Sequence, residues 1–228
     1  MRLLLTYMRC LFLWNKLLSI SRISRFTGLL LKSGLPSTGA APSVPEARDF
    51  QSWEVHTETT GLDSFHDEIL QISIIDDTGK VLLDTLCKPY YHDSWRQAQS
   101  VNGIDGSMLQ DAPYAHEIVP MVNAIIAQAD TCIGYNIDFD IGFINQWGIA
   151  TDHLYQIDVM RDFTDYYKAH EDPSYNRWHK LIQCAEYFGY EWEGEAHNSL
   201  ADVKATLFCY QQMLVADSLH TSCDERGY

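Results

Sequence analysis

Polar and apolar residues alternate from Ser52 to Thr57, and turn chemistry follows at Thr60-Gly61. A β-branched run fills Ile69–Ile75, Asp76-Asp77-Thr78-Gly79 closes it as a turn, and Lys80–Cys87 is strand-like again. This pattern predicts an antiparallel meander of three strands. The period then changes. Ala115–Ala129 repeats apolar residues at helical spacing (Ile118, Val122, Ile125, Ile126). Thr131–Tyr135 reads as a short buried strand, and Ile137–Trp147 as a helix with Phe139, Phe143 and Trp147 on one face. His153–Asp158 is a fifth strand, and Val159–His170, Arg177–Phe188 and Ser199–Ala216 are helical. The expected fold class is α/β: a mixed five-stranded sheet, three antiparallel strands then parallel ones, flanked by helices.

Ahead of this pattern the chain is built differently. Residues 1–32 are rich in Leu, Ile, Phe and Trp, and Arg2, Arg9 and Lys16 recur every seven residues, lining one stripe of a helix. No uncharged apolar run reaches the roughly 18 residues of a transmembrane helix. No apolar core is followed by the small-residue cleavage site of a secretory signal. Three readings of this leader stay open. It is a basic amphipathic helix on an anionic membrane surface, an organelle-targeting peptide, or a segment that packs on the domain or a protein partner or is poorly ordered. Pro, Gly and Ser punctuate residues 33–49, which read as a linker. The α/β domain is expected over 50–216, with 217–228 as a C-terminal tail.

Charge sharpens that division. The 228 residues are 46% hydrophobic and 21% charged, which excludes disorder as the main state. The net charge is −15, yet residues 1–45 hold six basic residues and no acidic one. Residues 46–228 therefore keep ten basic and 31 acidic residues, a net of −21. Such a domain does not grip nucleic acid by a broad basic surface, although local contact through metal ions is compatible with it. Cys10, Cys87, Cys132, Cys184, Cys209 and Cys223 are scattered, with no Cys-x-x-Cys pair. That is the pattern of a reduced, cytoplasmic protein rather than a disulfide framework or zinc module. The leader keeps peripheral membrane association or organelle targeting open.

Three clusters carry candidate chemistry. His56 and Glu58, two apart at the end of the first strand, point the same way, at the strand end where α/β sites sit; the alternative is a solvated strand end. Gly134-Tyr135-Asn136-Ile137-Asp138-Phe139-Asp140 spans a strand-to-helix junction. There Asp138 is expected to cap the helix and Asp140 to lie in its first turn. His197-Asn198-Ser199-Leu200-Ala201-Asp202 precedes the last helix, with His197 in a loop. Ser199 and Asp202 have the spacing of a capping-box variant, so Asp202 is either a cap or a functional acid. Arg177-Trp178-His179-Lys180 is the one local basic–aromatic cluster of the domain. It either tracks a nucleic-acid strand by stacking and charge or starts a helix whose Trp178 packs and whose Lys180 is solvated.

Taken in order, Glu58 at a first-strand end, Asp140 after a Tyr-Asn-x-x-Phe pattern and His197-x-x-x-x-Asp202 before the last helix resemble the DnaQ-like family of DEDDh 3′–5′ exonucleases. That family is typified by the proofreading epsilon subunit of bacterial DNA polymerase III. The resemblance covers about Ser52 to Leu214 and includes Val101-Asn102-Gly103-Ile104. It implies an RNase H-like fold and release of nucleoside 5′-monophosphates from a single-stranded 3′ end, DNA ahead of RNA. It implies two divalent metal ions, Mg²⁺ or Mn²⁺, held by Glu58, Asp140 and Asp202, with His197 as general base. It also places Thr59, Leu62 and Asn102 at positions that touch the terminal nucleotide. The chemistry agrees: phosphodiester hydrolysis needs a positioned water and neutralised charge, which paired hard cations on carboxylates supply.

One position departs from the family. Its first motif is Asp-x-Glu-Thr-Thr-Gly, and His56 stands where the aspartate bridges both metals. A neutral imidazole offers one lone pair, so it ligates one metal and bridges none, and the site loses a negative charge. Two functions follow: a weakened 3′–5′ exonuclease that favours Mn²⁺, or a catalytically inactive nucleic-acid-binding or scaffold module that keeps the fold. A metal-independent interaction domain tethered by the leader is a third.

Overall fold

The computed structural model describes residues 52–192 and 197–224, with side chains to residue 216. The leader and linker fall outside the described residues. Five strands, β1 (Ser52–Thr59), β2 (Ile69–Asp76), β3 (Val81–Leu86), β4 (Thr131–Gly134) and β5 (Tyr155–Asp158), form one sheet in the order β3-β2-β1-β4-β5. β1, β2 and β3 pair antiparallel, and β4 and β5 add in parallel. This is the mixed α/β sheet that the change of period predicts. β1 is central, and its ladder with β2 shifts register between Glu58 and Thr59, where the strand leaves the sheet.

Helices cover both faces. Trp53, Val55, Ile72 and Ile74 pack against Ile118, Val122 and Ile125 of α2 (Ala115–Ile126) and Ile141 and Ile144 of α3 (Ile137–Gln146). The opposite face joins Ile133 and Tyr135 to Val159 and Phe163 of α4 (Val159–His170) and Cys184 of α5 (Leu181–Tyr187). It also packs Cys209 and Met213 of α6 (Ser199–Asp224) into the same cluster. Each large apolar side chain buried this way contributes roughly 1.5–3 kcal/mol. Cys87, Cys132, Cys184 and Cys209 are free and buried. No helix among the described residues is long and apolar enough to cross a membrane.

Three elements differ from the sequence reading. A short helix α1 (Arg96–Asn102) had no signal, because none of its seven residues is buried and no apolar period marks it. It ends at Gly103, whose φ of 69° suits the residue without a side chain. The helix expected from Arg177 starts only at Leu181, with Lys180 as its N-cap. The last helix continues through Asp224, into the expected tail, with no Gly or Pro to stop it.

Candidate active site

β1 delivers the first residues. Its alternation places His56 and Glu58 on the face turned toward α6. Beyond the strand, Gly61 lies so close to Asp67 that a Cβ there would meet its carboxylate at 2.3 Å. Asp67 in turn accepts from Thr60 Oγ1 (3.1 Å) and the Asp63 amide (3.0 Å). The tight turn needs a glycine and holds out the next residue, Leu62, which is 86% exposed.

α3 supplies Asp140. Asn136 occupies the N-cap position in the left-handed region, φ 62°. Asp138 therefore does not cap the helix: two residues further along, its exposed carboxylate pairs with Arg161 at 2.5 Å. Asp140 is buried, and its Oδ1 accepts from both the amide and the hydroxyl of Thr57 at 2.8 Å. Oδ2 is buried with no partner.

α6 supplies Asp202. Its cap is Asn198, whose Oδ1 accepts from the amides of Leu200 (3.2 Å) and Ala201 (3.4 Å). The capping-box role open to Ser199 and Asp202 is thus filled by another residue. Ser199 is buried and meets Ser73 Oγ at 2.5 Å, which anchors the helix start to β2. Asp202 is left for the cleft. His197 is exposed on the preceding loop with φ 67°, and its amide donates to Asp202 Oδ1 at 3.3 Å.

Three carboxylates meet around His56. Its Nε2 lies 3.5 Å from Asp202 Oδ2 and 3.7 Å from Glu58 Oε1, and its Nδ1 lies 3.9 Å from Asp140 Oδ1. Burial alone would pull the imidazole down, but Glu58, Asp140 and Asp202 outweigh it and raise its pKa to about 9. Burial pushes Asp140 up to about 6 despite His56 and the Thr57 bonds, and it pushes Asp202 up as well. At neutral pH an imidazolium therefore sits among three acids. One ligand atom each from His56, Glu58 and Asp202 lie within 4.8 Å of one another. Glu58 Oε1 and Asp140 Oδ2 are buried without a partner. Glu58 belongs to that group of three, and a buried carboxylate oxygen with no hydrogen bond fits a hard divalent cation.

The cleft over these acids has a volume of about 1250 Å³. Thr59, Leu62 and Asn102 all line it, as does His197. Thr59 Oγ1 donates to the Gly61 carbonyl (2.5 Å), and Asn102 Nδ2 donates to the Thr59 carbonyl (3.3 Å), so α1 braces the strand end. Trp178 also lines the cleft and is 60% exposed rather than packed. Two residues of the site had no sequence signal of their own. Thr57 orients Asp140 through a fold contact 83 residues long. Glu54, two residues before His56, is fully buried with both oxygens unpartnered, and burial, with Cys209 and Asp77 adding, pushes it well above the usual carboxylate range.

Comparison with known proteins gives the chain a family and a shared fold. The sequence pattern of an exonuclease family matches residues 57–210. The chain is 32% identical over 163 residues to an uncharacterized exonuclease, CP81, of Escherichia phage 186, covering 67% of this chain and 82% of that one. It is 25% identical to the PolC-type DNA polymerase III of Caldanaerobacter subterraneus over 82% of this chain but only 13% of the polymerase. Among solved structures it superposes on a zinc-bound complex of Escherichia coli exonuclease I with single-stranded DNA at a TM-score of 0.60 and 18% identity. That match covers 76% of this chain and 43% of exonuclease I, and it establishes a shared RNase H-like fold.

Proposed function

Because the chain belongs to the exonuclease family, we propose that it hydrolyses single-stranded DNA from the 3′ end and releases nucleoside 5′-monophosphates. The convergence of His56, Glu58 and Asp202 on one point, with Asp140 behind them, carries this reading. The exonuclease I complex with a dT13 oligonucleotide and the polymerase context of the PolC-type relative support DNA over RNA.

Glu58, Asp140 and Asp202, with His56 once it gives up its proton, would hold two divalent ions, Mg²⁺ or Mn²⁺, which when bound neutralise charge on the phosphate and acidify water. The chain's own residues do the rest. Thr59 and Leu62 seat the terminal nucleotide, and Asn102 holds Thr59 in place. The attacking water bonds to phosphorus, and the bond from phosphorus to the 3′ oxygen breaks. His197 takes the proton that the water loses; its exposed loop position lets it reach a substrate phosphate. The leaving 3′ oxygen takes a proton from solvent.

One observation favours a second reading, an inactive module. His56 lies 3.5–3.9 Å from three carboxylates, so its imidazolium neutralises part of the charge that would attract metal. A 5′-labelled oligonucleotide assay in Mg²⁺ or Mn²⁺, run beside calorimetric metal titration and an oligonucleotide-binding assay, separates the two. The exonuclease reading expects a ladder of shortened products, stronger in Mn²⁺. Binding without any shortening would leave the inactive module, and neither binding nor shortening would defeat both.

A further inference from the structure

We infer that Trp178 forms a nucleobase-stacking subsite at the cleft, so that a single strand is gripped there by a base rather than by its phosphates. This rests on the single-strand exonuclease reading above and adds to it a residue which the resemblance does not assign.

An indole 60% open to water is a large apolar surface left uncovered. It is held in that position by its neighbours. His179 is 8% exposed, stacks on Tyr175 at 4.2 Å and 12°, and meets the Phe163 ring edge-on at 4.9 Å. The His179 carbonyl accepts from the Tyr135 hydroxyl at 2.9 Å, which ties the segment to the end of β4. The Lys180 amide donates to Gln183 Oε1 (2.9 Å), and on the other side the Tyr175 amide donates to the Asp172 carbonyl (3.0 Å). Trp178 is thus presented by a fixed backbone, and a fixed aromatic loses little entropy on binding.

Charge makes stacking the available grip. Residues 46–228 carry a net charge of −21, and Lys180 is the only Lys or Arg among the described residues that line the cleft. With so few phosphates neutralised, counterion release supplies little affinity. One base–aromatic stack strengthens binding by roughly ten- to a hundredfold and works for any base. Leu62 and Trp178 reach the same cleft from different elements, which leaves room for a second nucleotide beside the terminal one.

The test is anisotropy of a fluorescent single-stranded oligonucleotide with the full chain in EDTA, at several salt concentrations. Trp178→Ala should raise Kd about tenfold or more, Trp178→Phe less than about threefold. Neither should change the salt slope or the melting temperature, because no charge and no core contact is lost. An abasic site at the stacked position should weaken wild type and leave Trp178→Ala unmoved. If wild type binds the strand and Trp178→Ala binds equally well, or if the abasic site weakens both alike, the subsite is refuted while the exonuclease reading stands. If wild type neither binds nor shortens single strands, both fall together.

Discussion

Trp53, Val55 and Thr57 on one face of β1 and Glu54, His56 and Glu58 on the other lie a single backbone apart. Except for the half-buried His56, all are buried. The first face meets α2 and α3 with apolar side chains, and Thr57 spends both its donors on Asp140. The second face carries three ionisable groups with unpartnered atoms. Burial stabilises the first face and raises the free energy of the second. The difference shows that burial is no measure of stability. A buried strand face with unsatisfied acids is held in place by the rest of the fold, at a stability cost that a bound ligand can offset.

Substitutions on the two faces should therefore separate activity from stability. Glu58→Gln should lower oligonucleotide hydrolysis by at least about a thousandfold, roughly 4 kcal/mol of transition-state energy. Its melting temperature without metal should change little, because losing one of the crowded acids offsets the partner that the His56 imidazolium loses. Trp53→Ala should do the reverse, costing roughly 3–5 kcal/mol in urea denaturation with rate per folded molecule little changed. A Glu58→Gln protein that keeps its rate would erase the functional side of the contrast.

His56 sharpens it further. His56→Asp should raise Mg²⁺-supported hydrolysis by at least about a hundredfold, some 3 kcal/mol, in a protein less stable without metal and more strongly stabilised by Mg²⁺. An unchanged rate in a folded His56→Asp protein would show that His56 is not the weak point.

The pH dependence comes next in size. The His56 pKa rises from an ordinary 6.5 to about 9, so its proton favours the fold. That stability is complete below pH 6.5 and lost as pH climbs through about 9. Asp140, raised from 3.8 to about 6, acts in the same sense at lower pH, favouring the fold below 3.8 and losing that gain by about 6. Metal-free protein should thus melt several degrees lower at pH 9 than at pH 6.5, and His56→Asn should flatten that fall. Calorimetry across the range checks it. The smallest effect is at Glu54. Burial raises its pKa, so keeping it costs stability as pH rises above its ordinary 4.5. Glu54→Gln should stabilise the protein by about 1 kcal/mol at neutral pH, and a loss of stability would mean that the carboxyl has a partner.

Much of this was legible in the sequence, for identifiable reasons. Val159–His170 matches α4 at both ends because its apolar spacing and its Asp158 cap agree. The meander was legible from β-branched runs and the turn residues at 60–61 and 76–79. The caps were not: Asp138 and Ser199 have suitable side chains, but Asn136 and Asn198 hold the positions, and only backbone geometry decides between neighbours. The burial of both β1 faces was also hidden. Alternation at 52–57 reads as a half-exposed strand, whereas Glu54 and His56 on its polar face meet α6, which lies over 140 residues later in the chain. The acids were legible as three ordered clusters, and their mutual distances were not.

The Thr57–Asp140 bond has a kinetic consequence. It closes a loop of 83 residues, and Asp202 joins only when α6 docks across β1. Contacts so distant in sequence form late, after the entropy of closing long loops has been met by other parts of the domain. During synthesis, β1 leaves the ribosome long before either acid partner exists. A partly made or partly unfolded chain therefore has three separate clusters and no site, and a nuclease assembled this way does not act on nucleic acid before its domain is complete.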